Sequence, residues 1–169
     1  MRTKKQQELI EDYLSGLTHE LETVYRELIG HLSELGYEPK KQRSAIVFNC
    51  PHHNKQIAKI GFDRKCAPFF ALRFSACRGY SERFREIVRD AVSGKNYQEP
   101  RCMTEGEDFC KGPVRERLYS YEFSDSTRYH CGAKALIIPN LCEEDVQEME
   151  RMMEEEHKFL MKYEAGKGL

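Results

Sequence analysis

The sequence predicts an α+β domain, with helices packed on an antiparallel sheet of about five strands in the order α-βββ-α-ββ-α. Three observations carry this. Apolar residues recur at helical spacing at both ends of the chain and once in the middle. Between them lie short β-rich runs joined by connections too brief for a crossover, which makes neighbouring strands antiparallel. The chain of 169 residues, 40% hydrophobic with 9 Tyr and 9 Phe, is long enough to bury one core and too apolar for disorder. A single domain is therefore expected over residues 1–169: an N-terminal helical segment at 1–36, a sheet at 43–138 with a helix inserted at 82–93, and a C-terminal helix at 142–163.

The first segment is helical because Leu9, Ile10, Tyr13, Leu14 and Leu17 fall at i, i+3 and i+4 spacing, and Leu21, Val24, Tyr25, Leu28, Leu32 and Leu35 continue it. Gly16 and Thr18 interrupt it, so it reads as one long helix or as two with Thr18 as N-cap. Gly36 closes it in the position that favours a left-handed residue. Strands follow at Ser44–Cys50, Gln56–Asp63 and Pro68–Ser75, separated by the turns Cys50-Pro51-His52-His53-Asn54 and Asp63-Arg64-Lys65. In the third, Phe70, Leu72 and Phe74 share a face and Arg73 lies opposite.

Ser81 then caps a helix whose stripe is Phe84, Ile87, Val88, Ala91 and Val92, and Gly94 ends it. Lys95 to Glu116 has no period, which inside a small domain points to function, to disorder or to a tether. Leu118–Phe123 alternates as a half-buried strand, Thr127–His130 returns, and Ala133–Pro139 is a further apolar strand. From Glu143 the spacing of Val146, Met149, Met153, Leu160 and Tyr163 is helical, with Glu143, Glu144 and Asp145 in the first turn and His157 at the edge of the stripe.

No apolar run approaches the roughly 20 residues of a membrane helix, and the N-terminus lacks the apolar stretch of a signal peptide. A cytoplasmic protein without a membrane partner is expected. Seven cysteines, an odd number, argue against a disulfide framework and turn attention to metal ligation or thiol chemistry. Cys102 and Cys110 lie in the aperiodic segment, and Cys131 follows His130 at a strand end. Gly112 and Gly132 follow closely after Cys110 and Cys131, as in turns that approach a bound sulfur. Cys102, Cys110 and Cys131, with His130 or Cys142 as the fourth ligand, form a candidate structural zinc site. The spacing lacks any CxxC pair, and the alternative is that these are loop thiols and a small buried hydrophobe.

Charge is segregated: net −4 over residues 1–39, +9 over 40–101 and −6 over 102–169, for −1 in all. Two layouts follow. Arg64, Lys65, Arg73 and Arg78 could present an anion-binding or nucleic-acid surface, with Phe69 and Tyr80 nearby for stacking. Alternatively, acidic terminal helices fold over the basic middle and neutralise it. The aromatics Phe69, Phe70, Phe74, Tyr119, Tyr121 and Tyr129 would line a small-molecule pocket with Arg73 if they lay on an uncovered sheet face, and would otherwise be core.

No nucleotide-binding, nucleophile-elbow or zinc-protease motif is present. Cys50 or Cys131 with His52 or His130 is a thiol–imidazole inventory for an enzyme or redox protein. The sequence thus favours a binding or interaction domain over an enzyme, with zinc as its candidate cofactor and a small molecule or nucleic acid as its candidate partner. An exposed apolar stripe on the N-terminal helix would make it a homodimer.

Overall fold

The computed structural model describes residues 2–106 and 117–165, without side chains at 163–165. The chain is α+β, with a five-stranded antiparallel sheet and a separate two-stranded one. The N-terminal segment is two helices, α1 (Lys4–Leu14) and α2 (His19–Glu34). Thr3 caps α1 through a capping box: its hydroxyl accepts from Gln6 N–H, and the Gln6 side-chain oxygen accepts from Thr3 N–H. Thr18 occupies the N-cap of α2, without a side-chain bond.

Strands β1 (Glu38–Gln42), β2 (Ala45–Cys50), β3 (Lys55–Phe62) and β4 (Pro68–Leu72) form a meander, and β7 (Leu136–Ile138) closes the sheet beside β4. Hairpin β5 (Tyr119–Glu122) and β6 (Thr127–His130) stands apart as the second sheet. Helix α3 (Glu82–Ser93) follows β4 with Ser81 at its N-cap and Gly94 at its C-cap, a single turn α4 (Arg101–Thr104) interrupts the aperiodic segment, and α5 (Glu143–Ala165) ends the fold.

Register sorts the sheet residues onto two faces. Ile46, Ile60, Phe70 and Ile138 align across four strands, as do Phe48, Ala58, Leu72 and Leu136. These rows share one buried cluster with residues of α1, α2, α3 and α5, so the helices cover this face. The opposite face carries Ala45, Val47, Lys59, Ala71 and Ile137, none of which joins that cluster.

Ile10, Leu14, Tyr25, Leu28, Ile29 and Leu32 are all buried in the chain's own core. The exposed N-terminal stripe that a homodimer needs is therefore missing among the described residues. Phe70, Phe74 and Tyr119 are likewise core, one of the two layouts open to these aromatics: they lie under the helices and not on an open face. Among the described residues, no helix is long and apolar enough to cross a membrane.

Candidate ligand-binding cleft

After Leu72 the strand ends and the segment Arg73–Ser81 runs against α5 between Glu148 and Glu156. Two alternations then break. Arg73, placed opposite the core face by its period, is only 4% exposed, and Glu156 on α5 is 0% exposed. Arg73 Nε lies 2.9 Å from Glu156 Oε1, although its N–H is not aligned for a hydrogen bond. The other oxygen, Oε2, accepts from Ala76 N–H at 2.8 Å, and Ser75 Oγ is 3.3–3.4 Å from both oxygens and 3.2 Å from the Gly132 carbonyl it also reaches. Arg117 places a second cation 3.8 Å from Oε1, its guanidinium over the Phe159 ring. Burial raises the Glu156 carboxyl above the usual carboxylate range, and Arg73, Ala76 N–H and Ser75 oppose that.

The same helix fastens the rest of the segment. Arg151 donates to Gly79 O at 2.6 Å and to Cys77 Sγ at 3.4 Å, and Glu148 accepts from Ser81 N–H. One turn earlier, buried Asp145 takes both Nε and Nη2 of Arg83, at 2.6 and 2.8 Å. From the sheet side, Phe74 N–H donates to the hydroxyl of buried Tyr119 at 3.0 Å. Thus a loop without secondary structure is held at almost every residue.

The held segment forms one wall of a cleft of about 380 Å³. Ser75, Cys77, Arg78 and Tyr80 line it from the loop, Glu82 and Arg85 from α3, and Leu118, Ser120, Tyr121 and Glu122 from β5. Its volume lies within the range of small-ligand sites, but its lining is unusually polar for one. Two guanidinium groups, two carboxylates and four hydroxyls meet there. The Cys77 thiol is pushed up, by burial first and then by Glu155, which keeps it protonated near neutral pH.

The predicted site residues are dispersed. Arg64 and Lys65 are exposed in the β3–β4 turn, where Asp63 Oδ1 accepts from the N–H groups of Lys65 and Ala67. Arg73 belongs to the buried network and so does not share a surface with them, and Arg78 lines the cleft. The basic middle is met by acidic α5, through Arg73 to Glu156 and Arg83 to Asp145, so charges segregated in sequence are paired in space.

Of the predicted zinc ligands, Cys102, His130 and Cys131 line a second cavity of about 390 Å³ beside Tyr97 and Lys134. Cys110 lies outside the described residues. Among the described residues, no group of three or more His, Cys, Asp and Glu side chains is placed to hold a metal. Burial, then Lys134, lowers the His130 pKa, and among the described residues its buried Nδ1 has no hydrogen-bond partner. Cys142, the alternative fourth ligand, sits before α5, with its thiol 3.4 Å from Asp145 Oδ2. Gly132 serves packing: a Cβ there would lie 1.4 Å from the Arg117 carbonyl oxygen.

Sequence reasoning missed Glu156, though a signal existed. Met149, Met152, Met153, Glu156 and Leu160 fall on one apolar stripe, and a carboxylate at a stripe position calls for a buried partner. Compared with models of known families, with curated proteins and with solved structures, the chain matches none.

Proposed function

We propose that this domain binds a compact anionic small molecule in the cleft between the Arg73–Ser81 segment, α3 and β5. One observation carries the reading: a ligand-sized polar cleft whose wall is fixed in place by a carboxylate with no exposure to water. Burying a charge pair gives little stability against an apolar pair of similar volume, so its use here is consistent with holding a binding loop in one geometry. Arg78 and Arg85 supply the charge complementary to phosphate or carboxylate, and Ser120, Tyr80 and Tyr121 supply hydroxyl donors. Pairing of Arg73 and Arg83 with α5 weighs against a nucleic-acid surface. The protonated Cys77 weighs against a reactive thiol in the cleft.

Calorimetric titration with inorganic phosphate, pyrophosphate and citrate tests this. At least one is expected to bind saturably, with affinity falling about tenfold in Arg85→Ala, the loss of roughly one charge-assisted hydrogen bond. If none saturates, or if binding is the same in Arg85→Ala and Arg78→Ala, the cleft is not an anion site.

A second reading keeps the structural zinc, because three of its four predicted ligands, 28 residues or more apart in part, line one cavity. Protein purified under reducing conditions is then expected to carry about one zinc per chain, lost in Cys102→Ser. Metal-free protein with all thiols titratable would remove it.

A further inference from the structure

A chain of three rings joins α5 to the sheet. Gly36, at φ +84°, ends α2, and the following Tyr37 N–H returns to Leu32 O at 2.9 Å, which turns the Tyr37 ring into the core. Its hydroxyl lies 3.3 Å from Nε2 of His53, in the β2–β3 turn, and 3.3 Å from Nδ1 of His157 on α5. The rings of Tyr37 and His157 meet edge to face at 5.5 Å.

With His53 neutral, the count of protons assigns each donor in the chain. Lys55 N–H donates to Nδ1 of His53 at 3.1 Å, so that nitrogen carries no proton. Neutral His53 is then protonated on Nε2 and donates to the Tyr37 oxygen. Tyr37 has one proton and gives it to Nδ1 of His157, which leaves His157 protonated on Nε2. When His157 takes a second proton, Nδ1 becomes a donor, the Tyr37 oxygen receives from both sides, and its own buried O–H loses its acceptor.

We propose that the His53–Tyr37–His157 chain is a proton-operated latch that docks α5 on the sheet at neutral pH and loosens it in acid.

The surroundings oppose a proton on His157. Burial lowers its pKa first, and His52 in the turn and Lys158 on its own helix add positive charge. Around Tyr37 stand Cys50 and Glu156, which with burial push the phenol up, and Arg73, which opposes them. At the α2–α5 contact two turns away, His31 lies 3.9 Å from both Glu34 and Glu150. Because the folded His157 pKa is depressed, the unfolded chain takes the proton first. The latch's contribution is complete above the ordinary histidine value and is lost as pH falls from there through the depressed folded value.

Since Glu156 adjoins His157, release acts on the segment that walls the cleft; this extension rests on the anion-binding reading, whereas the latch itself does not.

Imidazole ¹⁵N spectra of the intact protein test the latch directly. Both His53 and His157 are expected as Nε2–H tautomers at neutral pH, with His157 titrating below free histidine. A His157 protonated on Nδ1, or titrating like free histidine, overturns the latch. Melting from about pH 7.5 to 5.5 supplies a second reading. In His157→Asn the amide oxygen replaces Nδ1 as acceptor, so this variant is expected to keep the neutral-pH midpoint and lose part of the acid-side fall. His130 is retained in both proteins and contributes equally. Superimposable pH profiles overturn the latch. Failure of phosphate, pyrophosphate and citrate to bind would remove the cleft reading and leave these results standing.

Discussion

Replacing Glu156 with alanine is expected to cost about 3–5 kcal/mol, because it leaves buried Arg73, with partly buried Arg117 beside it, without the counter-charge that Glu156 supplies. It also removes the acceptor of Ala76 N–H and one partner of Ser75, so the loss falls on three elements at once. Urea denaturation of the two proteins measures it, and a difference below about 1 kcal/mol would mean that water enters to solvate Arg73. Glu156→Gln is the informative companion. An amide oxygen still accepts from Ala76 N–H, so the variant is expected to fall between wild type and alanine. The double change Arg73→Met with Glu156→Leu separates stability from placement. Apolar replacement removes the buried Arg73 charge as well, so this variant is expected to recover part of the loss seen in Glu156→Ala, falling short of wild type because Arg117 and Ala76 N–H still lack Glu156, while the cleft loop loses its anchor.

Gly132→Ala is expected to be the next most damaging change, at about 3 kcal/mol. The cause is contact, not backbone conformation. The added methyl would stand 1.4 Å from the Arg117 oxygen, 2.6 Å from its carbonyl carbon and 2.8 Å from Ser75 Oγ. The Arg117 backbone cannot swing aside as a flexible side-chain tip would, so the segment leading into β5 must separate from the Cys131–Lys134 turn. Ser75 would move with it, which transmits the damage to Glu156. A melting temperature within about 2 °C of wild type would show that the two segments part freely.

The periodic elements were legible in the sequence for a definite reason. In α3, Phe84, Val88 and Val92 are buried at i, i+4 and i+8, and Ser81 and Gly94 bound the helix where its composition places them. At the N-terminus the sequence left one helix or two open, and the structure has two, with Thr18 at the N-cap of the second. Strand β1 was not legible, because Glu38-Pro39-Lys40-Lys41-Gln42 has neither alternation nor β-branched residues. It is an edge strand, ordered by pairing with β2, and its lysines and proline suit an edge that must not recruit another chain. The hairpin β5–β6 was legible as strands, but its separation from the main sheet was not, since pairing partners are chosen by tertiary packing.

The site divides along the same line. Arg78 was singled out from charge and does line the cleft, whereas Arg73 was singled out on the same ground and is buried. Local sequence cannot distinguish them, because the difference is whether a carboxylate more than 80 residues away stands opposite. His157 was readable as a residue at the edge of an apolar stripe. Its hydrogen bond to Tyr37 spans 120 residues and left no trace in either neighbourhood.

The dependence of so many contacts on α5 has a consequence for the order of synthesis. A chain growing from its N-terminus can assemble α1, α2 and β1–β4 from local pairings as they emerge. At that stage Arg73 has no carboxylate, the Ser75–Ser81 segment has no anchor, and Met149, Met152 and Met153 have yet to cover the sheet. At roughly 5–20 residues per second, the 80-odd residues between β4 and the latter half of α5 leave that apolar face incompletely covered for several seconds. Nascent protein is therefore most exposed to chaperones and proteases in this interval, and the turn of helix bearing Glu156 and His157 ends it.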